Sequence, residues 1–204
     1  MGASYQAPRH GRARRRRTRA SRRRVEDDTM TVSTLEICTA KGLLCQERNK
    51  VRETLRTSGY PTYDGQVEWY ATINKPESSI WYWEFMDEVE CKSEIGINTY
   101  MKGVTVGVGG LVNIDRWNRS AELAVLVFEE YRHKGYGRRI IDWLITEAFN
   151  NQNMHKVWAE VYECNPNREF WEELGGGWVR SFIPDQKYWE GEYFGSDIYT
   201  IING

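Results

Sequence analysis

An apolar segment, a glycine-containing turn and an amphipathic segment follow one another and restrict how this chain can fold. Residues 121–128, Ala-Glu-Leu-Ala-Val-Leu-Val-Phe, are apolar on both alternating faces except at Glu122, as in a strand buried on both sides of a sheet. Residues 132–138, Arg-His-Lys-Gly-Tyr-Gly-Arg, form the turn. A helix is predicted at 137–150, because its apolar residues recur at helical spacing: Ile140, Ile141, Leu144, Ile145 and Ala148. The pattern predicts an α/β fold with this strand near its centre.

The turn is also a candidate anion-binding site. Backbone N–H groups in the first turn of a helix have no partner within the helix, and the helix dipole favours negative charge there. Gly135 and Gly137 lack the Cβ atom that would hinder close approach of a ligand to the backbone. Arg132, Lys134 and Arg138 add positive charge. These features together suit a pyrophosphate group, whereas the alternative is an ordinary glycine turn before a helix.

The turn resembles the acyl-CoA-binding signature of the GNAT superfamily of N-acetyltransferases, Q/R-x-x-G-x-G/A, with Arg132, Gly135 and Gly137 at the matching positions. Residues 165–176, Asn-Pro-Asn-Arg-Glu-Phe-Trp-Glu-Glu-Leu-Gly-Gly, are similar to an N-P-x-R-x-F-Y-E-x-L-G-G element of that superfamily. Residues 66–70, Gln-Val-Glu-Trp-Tyr, resemble a Q-x-x-W-F/Y segment of the branch that acetylates protein N-termini and amino sugars. The resemblance therefore indicates the superfamily and favours that branch.

The resemblance implies an α/β fold with a mixed, mostly antiparallel seven-stranded sheet and about four flanking helices. Hydrophobic periodicity along the chain predicts a compatible order of elements. We expect a short first strand around Leu35 and Ile37, helices at 41–57, 65–73, 137–150 and 167–174, and strands at 80–86, 104–114, 121–128, 157–163, 178–183 and 192–202.

The implied activity is transfer of an acetyl group from acetyl-CoA to a primary amine. Transfer is expected to be direct, within a ternary complex, without a covalent enzyme intermediate or a metal. The acceptor is left open among a protein N-terminus, an amino sugar, a polyamine and another small amine. Asn165 has an alternative role as a turn residue before Pro166. By resemblance, the residues expected to contact the donor are Leu126, Val127, Arg132, His133, Lys134, Gly135, Tyr136, Gly137, Arg138 and Asn165.

Glu122 is the candidate general base. A lysine-like amine has a pKa near 10.4, so removing its proton at pH 7 costs about 4–5 kcal/mol. Glu122 interrupts the apolar strand where the superfamily often has a catalytic carboxylate. Burial raises the pKa of a carboxylate and makes it a better base. The alternative is that Glu122 pairs with Arg119 or another cation and only stabilises the sheet.

Trp171 departs from the superfamily pattern. Many relatives have a tyrosine there, whose phenol protonates the leaving thiolate. An indole N–H is a hydrogen-bond donor but not an ordinary proton source. Either the thiolate leaves unprotonated, or catalysis is impaired, or another group replaces the phenol, for which the candidates are Tyr162, Tyr188 and Tyr193.

Five aromatic residues precede the apolar strand and have two interpretations. They either form the wall of an acceptor pocket, with cation–π contacts to an ammonium group, or fill the core. Strand alternation predicts that some of the residues at 81–83 do each. The five are Trp69, Tyr70, Trp81, Tyr82 and Trp83.

Charge is distributed very unevenly along the chain. Ten of the 28 basic residues are arginines between residues 9 and 24, which leaves 18 basic residues against 29 acidic ones elsewhere. We expect a disordered arm at 1–30 and an acetyltransferase domain at 31–204. The arm either binds nucleic acid, or is a solvated tail, or precedes a translation start at Met30. The acidic remainder mildly favours cationic partners.

Other functional classes are disfavoured by composition. The four cysteines and three histidines lack metal-ligand spacing, so reduced thiols are expected. No apolar run approaches a membrane span, and no hydrophobic stretch follows the basic N-terminus, so we expect a cytoplasmic protein, monomeric or homodimeric. The rival hypothesis is a catalytically impaired CoA-binding protein that its basic arm tethers to nucleic acid.

Overall fold

A seven-stranded sheet forms the centre of the computed structural model, which describes residues 30–57, 59–92 and 99–204. The strand order is β1-β2-β3-β4-β5-β7-β6. Neighbouring strands are antiparallel except β4 and β5, which are parallel. The predicted mixed, mostly antiparallel sheet is confirmed. The strands are β1 (Thr31–Thr34), β2 (Trp81–Lys92), β3 (Thr99–Asp115), β4 (Ser120–Val127), β5 (Lys156–Tyr162), β6 (Val179–Trp189) and β7 (Glu192–Ile202).

Within the described ranges, four helical units flank the sheet, which agrees with the predicted number of about four. The first begins as α1 (Ile37–Thr39) and runs through a wider helical turn, Ala40–Leu44, into α2 (Cys45–Asn49). The Thr62 hydroxyl caps the second unit by accepting a hydrogen bond from the Gly65 N–H at 3.1 Å. The other units are α3 (Tyr63–Tyr70), α4 (Tyr136–Thr146), which continues as Glu147–Asn151, and α5 (Arg168–Glu172).

Two predicted elements near the start of the domain were wrong in position. The first strand ends at Thr34, and Ile37 begins α1 instead of extending that strand. Leu35 is buried because it packs against the helices. A strand residue would also be buried, so the apolar residue alone does not distinguish the two cases. The helix predicted at 41–57 ends at Asn49 because Val51 has φ −130° and ψ 35°, outside the helical region.

The hairpins are longer than their hydrophobic patterns predicted. Strands β2 and β3 pair as far as Lys92 and Thr99, and β6 continues to Trp189. Most residues of β6 are exposed, so an apolar alternation does not mark its length. The described part of the chain excludes 1–29, and the arm predicted at 1–30 therefore lies almost entirely outside it.

Helix α4 covers one face of the sheet. Its residues Ile140, Ile141 and Leu144 are fully buried in the larger core cluster. A Cβ atom at Gly109 would lie 2.8 Å from Cγ2 of Ile140, and one at Gly107 would lie 2.7 Å from the backbone oxygen of Leu126. The two glycines therefore allow the helix to pack closely against β3.

Helices α1, α2 and α3 lie over the opposite face, where Leu44, Val108 and Phe128 form a second core cluster. Glu122 pairs in register with Trp158 of the parallel strand β5. Because strand side chains alternate between faces, Glu160 and Tyr162 share the Glu122 face. The register therefore brings these three polar side chains to one region.

The parallel pair β4–β5 separates soon after it forms. Residues Ser120–Glu122 pair with 156–158, whereas β4 continues to Val127 and β5 continues to Tyr162. Beyond the paired residues, β4 remains attached to β3 and β5 remains attached to β7. A V-shaped gap therefore opens between the two strands, with β4 backbone along one side.

Candidate active site

The gap leads into a cleft of about 440 Å³, here called the β4–β5 cleft. One wall is the end of β4, the second is the glycine turn, and the third is the segment from Asn165 to Glu173 that includes α5. Seven of the predicted donor-contacting residues line this cleft: Leu126, Val127, Arg132, His133, Gly135, Gly137 and Asn165.

The glycine turn has the backbone conformation that an anion site requires. Gly135 is the residue before α4 and has φ +85°, in the left-handed region that favours glycine. The first hydrogen bond of the helix runs from the N–H of Arg139 to the oxygen of Gly135 at 3.3 Å. The N–H groups of residues 136–138 precede that bond and are free for a ligand.

Arg132 fixes the turn to the end of β4. Its Nε donates to the backbone oxygen of Val127 at 3.2 Å, and its Nη2 lies 3.8 Å from the Glu47 carboxylate. Its guanidinium therefore organises the loop from within the fold while the residue still lines the β4–β5 cleft.

Three predicted donor-contacting residues are not among those that line the β4–β5 cleft. The Lys134 ammonium lies 5.4 Å from the centre of the Tyr131 ring, and the Tyr136 ring packs edge-on against that ring. Arg138 pairs with Asp142 at 3.2 Å and donates to the backbone oxygen of Leu174 at 2.8 Å. These side chains hold the turn and α4 in place.

Asn165 has the turn role that the sequence left open as an alternative, and its contact with the donor stays a prediction. Its side-chain oxygen accepts from the N–H of Asn167 at 2.9 Å, and its own N–H donates to the backbone oxygen of Tyr162. It is therefore a turn residue between β5 and α5, and it also lines the β4–β5 cleft.

Glu122 is buried on β4 and is 7% exposed. One carboxylate oxygen accepts from Nη2 of Arg56 at 2.7 Å, and the other accepts from the Asn113 amide at 2.6 Å. Arg119, the partner considered from the sequence, bonds to Asn153 instead. Burial raises the pKa of Glu122 above its usual value, although Arg56 and Asn113 oppose this shift.

Glu160 is a second carboxylate on the same face, with a side chain that is 11% exposed. The same nitrogen of Arg56 lies 2.6 Å from its Oε2, and the Tyr162 hydroxyl donates to that oxygen at 3.2 Å. The Ser196 hydroxyl donates to Oε1 at 3.0 Å. Burial is the main cause that raises the pKa of Tyr162. We call Glu122 and Glu160 the carboxylate pair.

Sequence reasoning missed Arg56, Asn113 and Glu160. One signal was available, since Glu160 interrupts an apolar strand in the same way as Glu122. Arg56 and Asn113 stand in unrelated segments, and their proximity depends on strand register and on the connection between α2 and α3.

The aromatic residues at 81–83 divide between the two faces. Trp81 and Trp83 lie on the α4 side of the sheet, where the rings of Trp83 and Trp143 pack edge-on with their centres 5.2 Å apart. Tyr82 lies on the Glu122 side, where its ring contacts Trp69 edge-on at 5.0 Å. Burial raises the pKa of Tyr82 to about 12, so its hydroxyl is protonated at neutral pH.

Trp171 lies on α5 and lines the β4–β5 cleft. Its indole stacks on the Tyr199 ring, with ring centres 6.0 Å apart. Tyr188 and Tyr193 are 57% and 67% exposed, and they pack on each other at the β6–β7 hairpin. Of the three tyrosines considered as proton donors, Tyr162 is the one that contacts the carboxylate pair.

Neither a metal centre nor a membrane-crossing helix emerges from the described ranges. Among residues 30–57, 59–92 and 99–204, no group of three histidine, cysteine, aspartate or glutamate residues could hold a metal ion. In the same part of the chain, no helix has the length and apolar character needed to cross a membrane.

A family model described as acetyltransferase (GNAT) family matches residues 55–176, which include the carboxylate pair and the glycine turn. The chain belongs to this family. It is an N-acetyltransferase with acetyl-CoA as its donor substrate, and the superfamily predicted from the sequence is confirmed.

Similar proteins include polyamine acetyltransferases. The spermidine N(1)-acetyltransferase of Vibrio cholerae serotype O1 is 26% identical over 143 residues, covering 61% of this chain and 83% of the relative. A structure of the Vibrio cholerae spermidine N-acetyltransferase with CoA and spermine has a TM-score of 0.68 at 20% identity, covering 85% and 95% of the two chains. A structure of the spermidine/spermine N-acetyltransferase of Vibrio cholerae with manganese ions has a TM-score of 0.64 at 19% identity, and the match covers 85% of this chain and 92% of that chain. These structural matches show the shared fold.

The comparisons do not support the branch favoured by residues 66–70. These relatives are named for polyamines and not for protein N-termini or amino sugars. The segment forms part of α3 and contributes Trp69 and Tyr70 to the second core cluster, which explains its aromatic pattern by packing. The hypothesis of an impaired CoA-binding protein tethered to nucleic acid also receives no support.

Proposed function

We propose that this N-acetyltransferase acetylates a small polyamine, with Glu122 as general base. The observation that carries the proposal is a buried carboxylate with a raised pKa on the strand that lines the β4–β5 cleft. The relatives named for spermidine support the acceptor class. The acidic balance outside residues 9–24 is consistent with a cationic acceptor.

The donor is proposed to occupy the β4–β5 cleft along its length. Its pyrophosphate would lie at the turn around Gly135 and Gly137, where free N–H groups begin α4. Its pantetheine amides would bond to the backbone near Leu126 and Val127, where β4 has separated from β5. Arg132, His133 and Asn165 complete the lining, whereas Lys134, Tyr136 and Arg138 support the loop from behind.

The proposed reaction transfers the acetyl group in one displacement at the thioester. Glu122 accepts a proton from the acceptor ammonium and later releases it to solvent. The neutral nitrogen then attacks the carbonyl carbon, and the carbon–sulfur bond breaks as the amide forms. Because the pKa of Glu122 is raised, the gap between this base and the amine is smaller than for an exposed glutamate.

The leaving group is proposed to depart as a thiolate without a protein acid. A thiol has a pKa near 8.5, so the thiolate is a tolerable leaving group at neutral pH and takes its proton from solvent. This explains why Trp171, whose indole does not donate a proton to the thiolate, is compatible with turnover.

A thiol-release assay with acetyl-CoA tests the function across an amine panel. The panel contains spermidine, spermine, an amino sugar and a peptide with a free N-terminus, and mass spectrometry identifies the product. We expect acetylated polyamine as the main product. Turnover of another amine in preference to polyamines would overturn the acceptor assignment, and absence of calorimetric heat with CoA would overturn the donor site.

A further inference from the structure

The carboxylate pair shares a single cationic nitrogen. Nη2 of Arg56 lies 2.7 Å from Oε1 of Glu122 and 2.6 Å from Oε2 of Glu160. The two glutamates come from β4 and β5 at the point where these strands separate, and their side chains are only 10% and 11% exposed. The site therefore holds one positively charged nitrogen between two carboxylates that are largely shielded from solvent.

We propose that the carboxylate pair is the binding site for the acceptor ammonium and that Arg56 occupies this site until the acceptor displaces it. The inference rests on the proposed function and extends it to acceptor recognition. Glu160 is then a specificity-determining residue that orients the ammonium group, whereas Glu122 removes its proton. Arg56 competes with the substrate for the same two oxygens.

Neutral groups keep the carboxylates in position independently of Arg56. Asn113 on β3 donates to Glu122, while Ser196 on β7 and the Tyr162 hydroxyl on β5 donate to Glu160. These donors stand on strands of the sheet, and Ser196 is fully buried. The carboxylate oxygens therefore keep their orientation when the shared cation changes.

Arg56 is attached to the site in a different way. It stands in the irregular connection after the single turn Arg52–Thr54, and its side chain is 49% exposed. The guanidinium is half exposed while its two partners are only 10% and 11% exposed, so another cation can reach the pair from solvent and exchange with Arg56, whereas loss of Arg56 without replacement would leave the carboxylates unpaired. Withdrawal of the side chain also leaves the backbone ladders of β4 and β5 intact.

A primary ammonium matches the chemistry of the vacated position. It offers three N–H donors, so it can bond to both carboxylates and retain one donor for another partner. It also replaces the charge that Arg56 removes. The charge of the site thus remains balanced during exchange, whereas a neutral or anionic acceptor would leave two largely shielded carboxylates without a cation.

Glu160→Gln provides the first test in the full chain. We expect the KM for spermidine to rise about tenfold or more, while the KM for acetyl-CoA and the Kd for CoA stay unchanged. Glu160→Asp should recover part of the loss. Glu192→Gln removes the same charge from an exposed position on β7 and is the matched control, with an unchanged KM. A spermidine KM within twofold of wild type in Glu160→Gln would overturn the proposal.

Arg56→Gln provides the second test, because a competing arginine and a supporting arginine predict opposite changes in the KM for spermidine. If Arg56 competes with the substrate, its removal lowers the spermidine KM severalfold, and added methylguanidinium becomes a competitive inhibitor against spermidine. An increased spermidine KM in Arg56→Gln would show that the arginine supports the site instead. This result would overturn the proposal that the acceptor displaces Arg56.

Calorimetry of spermidine with the CoA-bound protein distinguishes failure of this site from failure of the proposed reaction. Binding that is lost in Glu160→Gln and kept in Glu192→Gln supports the carboxylate pair even if acetylated polyamine does not accumulate. Absence of spermidine binding to the wild-type protein would contradict the inference, whatever donor activity remains.

Discussion

The β4–β5 cleft, which is the proposed donor side, and the carboxylate pair, which is the proposed acceptor side, are built from different parts of the polypeptide. The donor side consists largely of backbone from one contiguous turn at 132–137, whose shape depends on glycine. The acceptor side does not line the cleft and depends on side chains from four strands and one connection, from which Arg56 reaches the carboxylate pair. A contiguous backbone site needs the correct local conformation, whereas a side-chain site needs the whole sheet in register.

Glu122→Gln is the strongest way to separate the two sides. We expect kcat to fall by about 100-fold or more, since general bases contribute about 10²–10⁴-fold, while the Kd for CoA changes little. The wild-type rate should decline as pH falls through the raised pKa of Glu122, because the base must be ionised. Burial is the main cause of the raised pKa of Glu122; Arg56 and Asn113 lower this pKa, and the Glu160 charge raises it.

Steady-state rates across pH, with calorimetry of CoA, check this prediction. The variant should lack the acidic decline that the wild type shows. A near-normal kcat of the variant at pH 7 would show that Glu122 is not the general base. Glu122 would then pair with Arg56 and only stabilise the sheet.

Asp197→Asn tests whether the donor side also depends on a side-chain network. The buried carboxylate of Asp197 accepts from Arg168 on α5 at 2.7 Å and from Arg180 on β6 at 2.7 Å. Removing one member of a buried ion pair costs about 3–5 kcal/mol, and we expect about 3 kcal/mol because both arginines are partly exposed. Chemical denaturation measures the free energy of unfolding.

The pH dependence of the free energy of unfolding is the control for this prediction. Burial opposes ionisation, but hydrogen bonds from Arg180 and Arg168 outweigh it and lower the pKa of Asp197. A lowered folded-state pKa adds stability that is fully present above the unfolded pKa of about 3.9 and is lost progressively as pH falls from there through the lower folded-state pKa. Wild type and variant should therefore converge in acid. A constant difference down to pH 3 would contradict the ionic explanation.

Gly135→Ala weakens the donor side through the backbone alone. A Cβ atom would meet nothing within 4 Å, but φ +85° is strained for alanine by about 1–3 kcal/mol. If the turn relaxes, its N–H groups shift, so we expect the Kd for CoA to rise about tenfold. Gly103→Ala, in open space on β3 without a left-handed φ, is the matched control. Equal affinities in both variants would show that the turn does not bind the donor.

Trp171→Tyr is expected to have the smallest effect. Restoring a phenol on α5 should raise kcat by at most about fivefold, because the thiolate already leaves at neutral pH. Trp171→Phe, without any donor, should turn over like the wild type. A large loss in Trp171→Phe, measured by thiol release at saturating substrates, would show that the indole N–H contributes to catalysis.

The sequence predicted most of the sheet because buried strands carry continuous apolar runs. The predicted bounds of β4, β5 and α4 are close to the observed ones, whereas β6 is longer than predicted because most of its residues are exposed and show no apolar alternation. Among the site residues, the glycine turn could be predicted because its conformation depends on residues at adjacent positions. The placement of Arg56 and Asn113 could not be predicted, since it depends on long-range strand register and on an irregular connection.

The short ladder between β4 and β5 has a mechanical consequence. The sheet comprises two parts, β1–β4 and β5–β7, whose shared strand ladder is confined to residues 120–122 and 156–158, with the Arg119 oxygen accepting from the N–H groups of His155 and Lys156 at its start. Small rotations about this connection would change the width of the gap while leaving the other ladders unbroken. A molecule lodged in the gap touches both parts, and thereby fixes the angle between them.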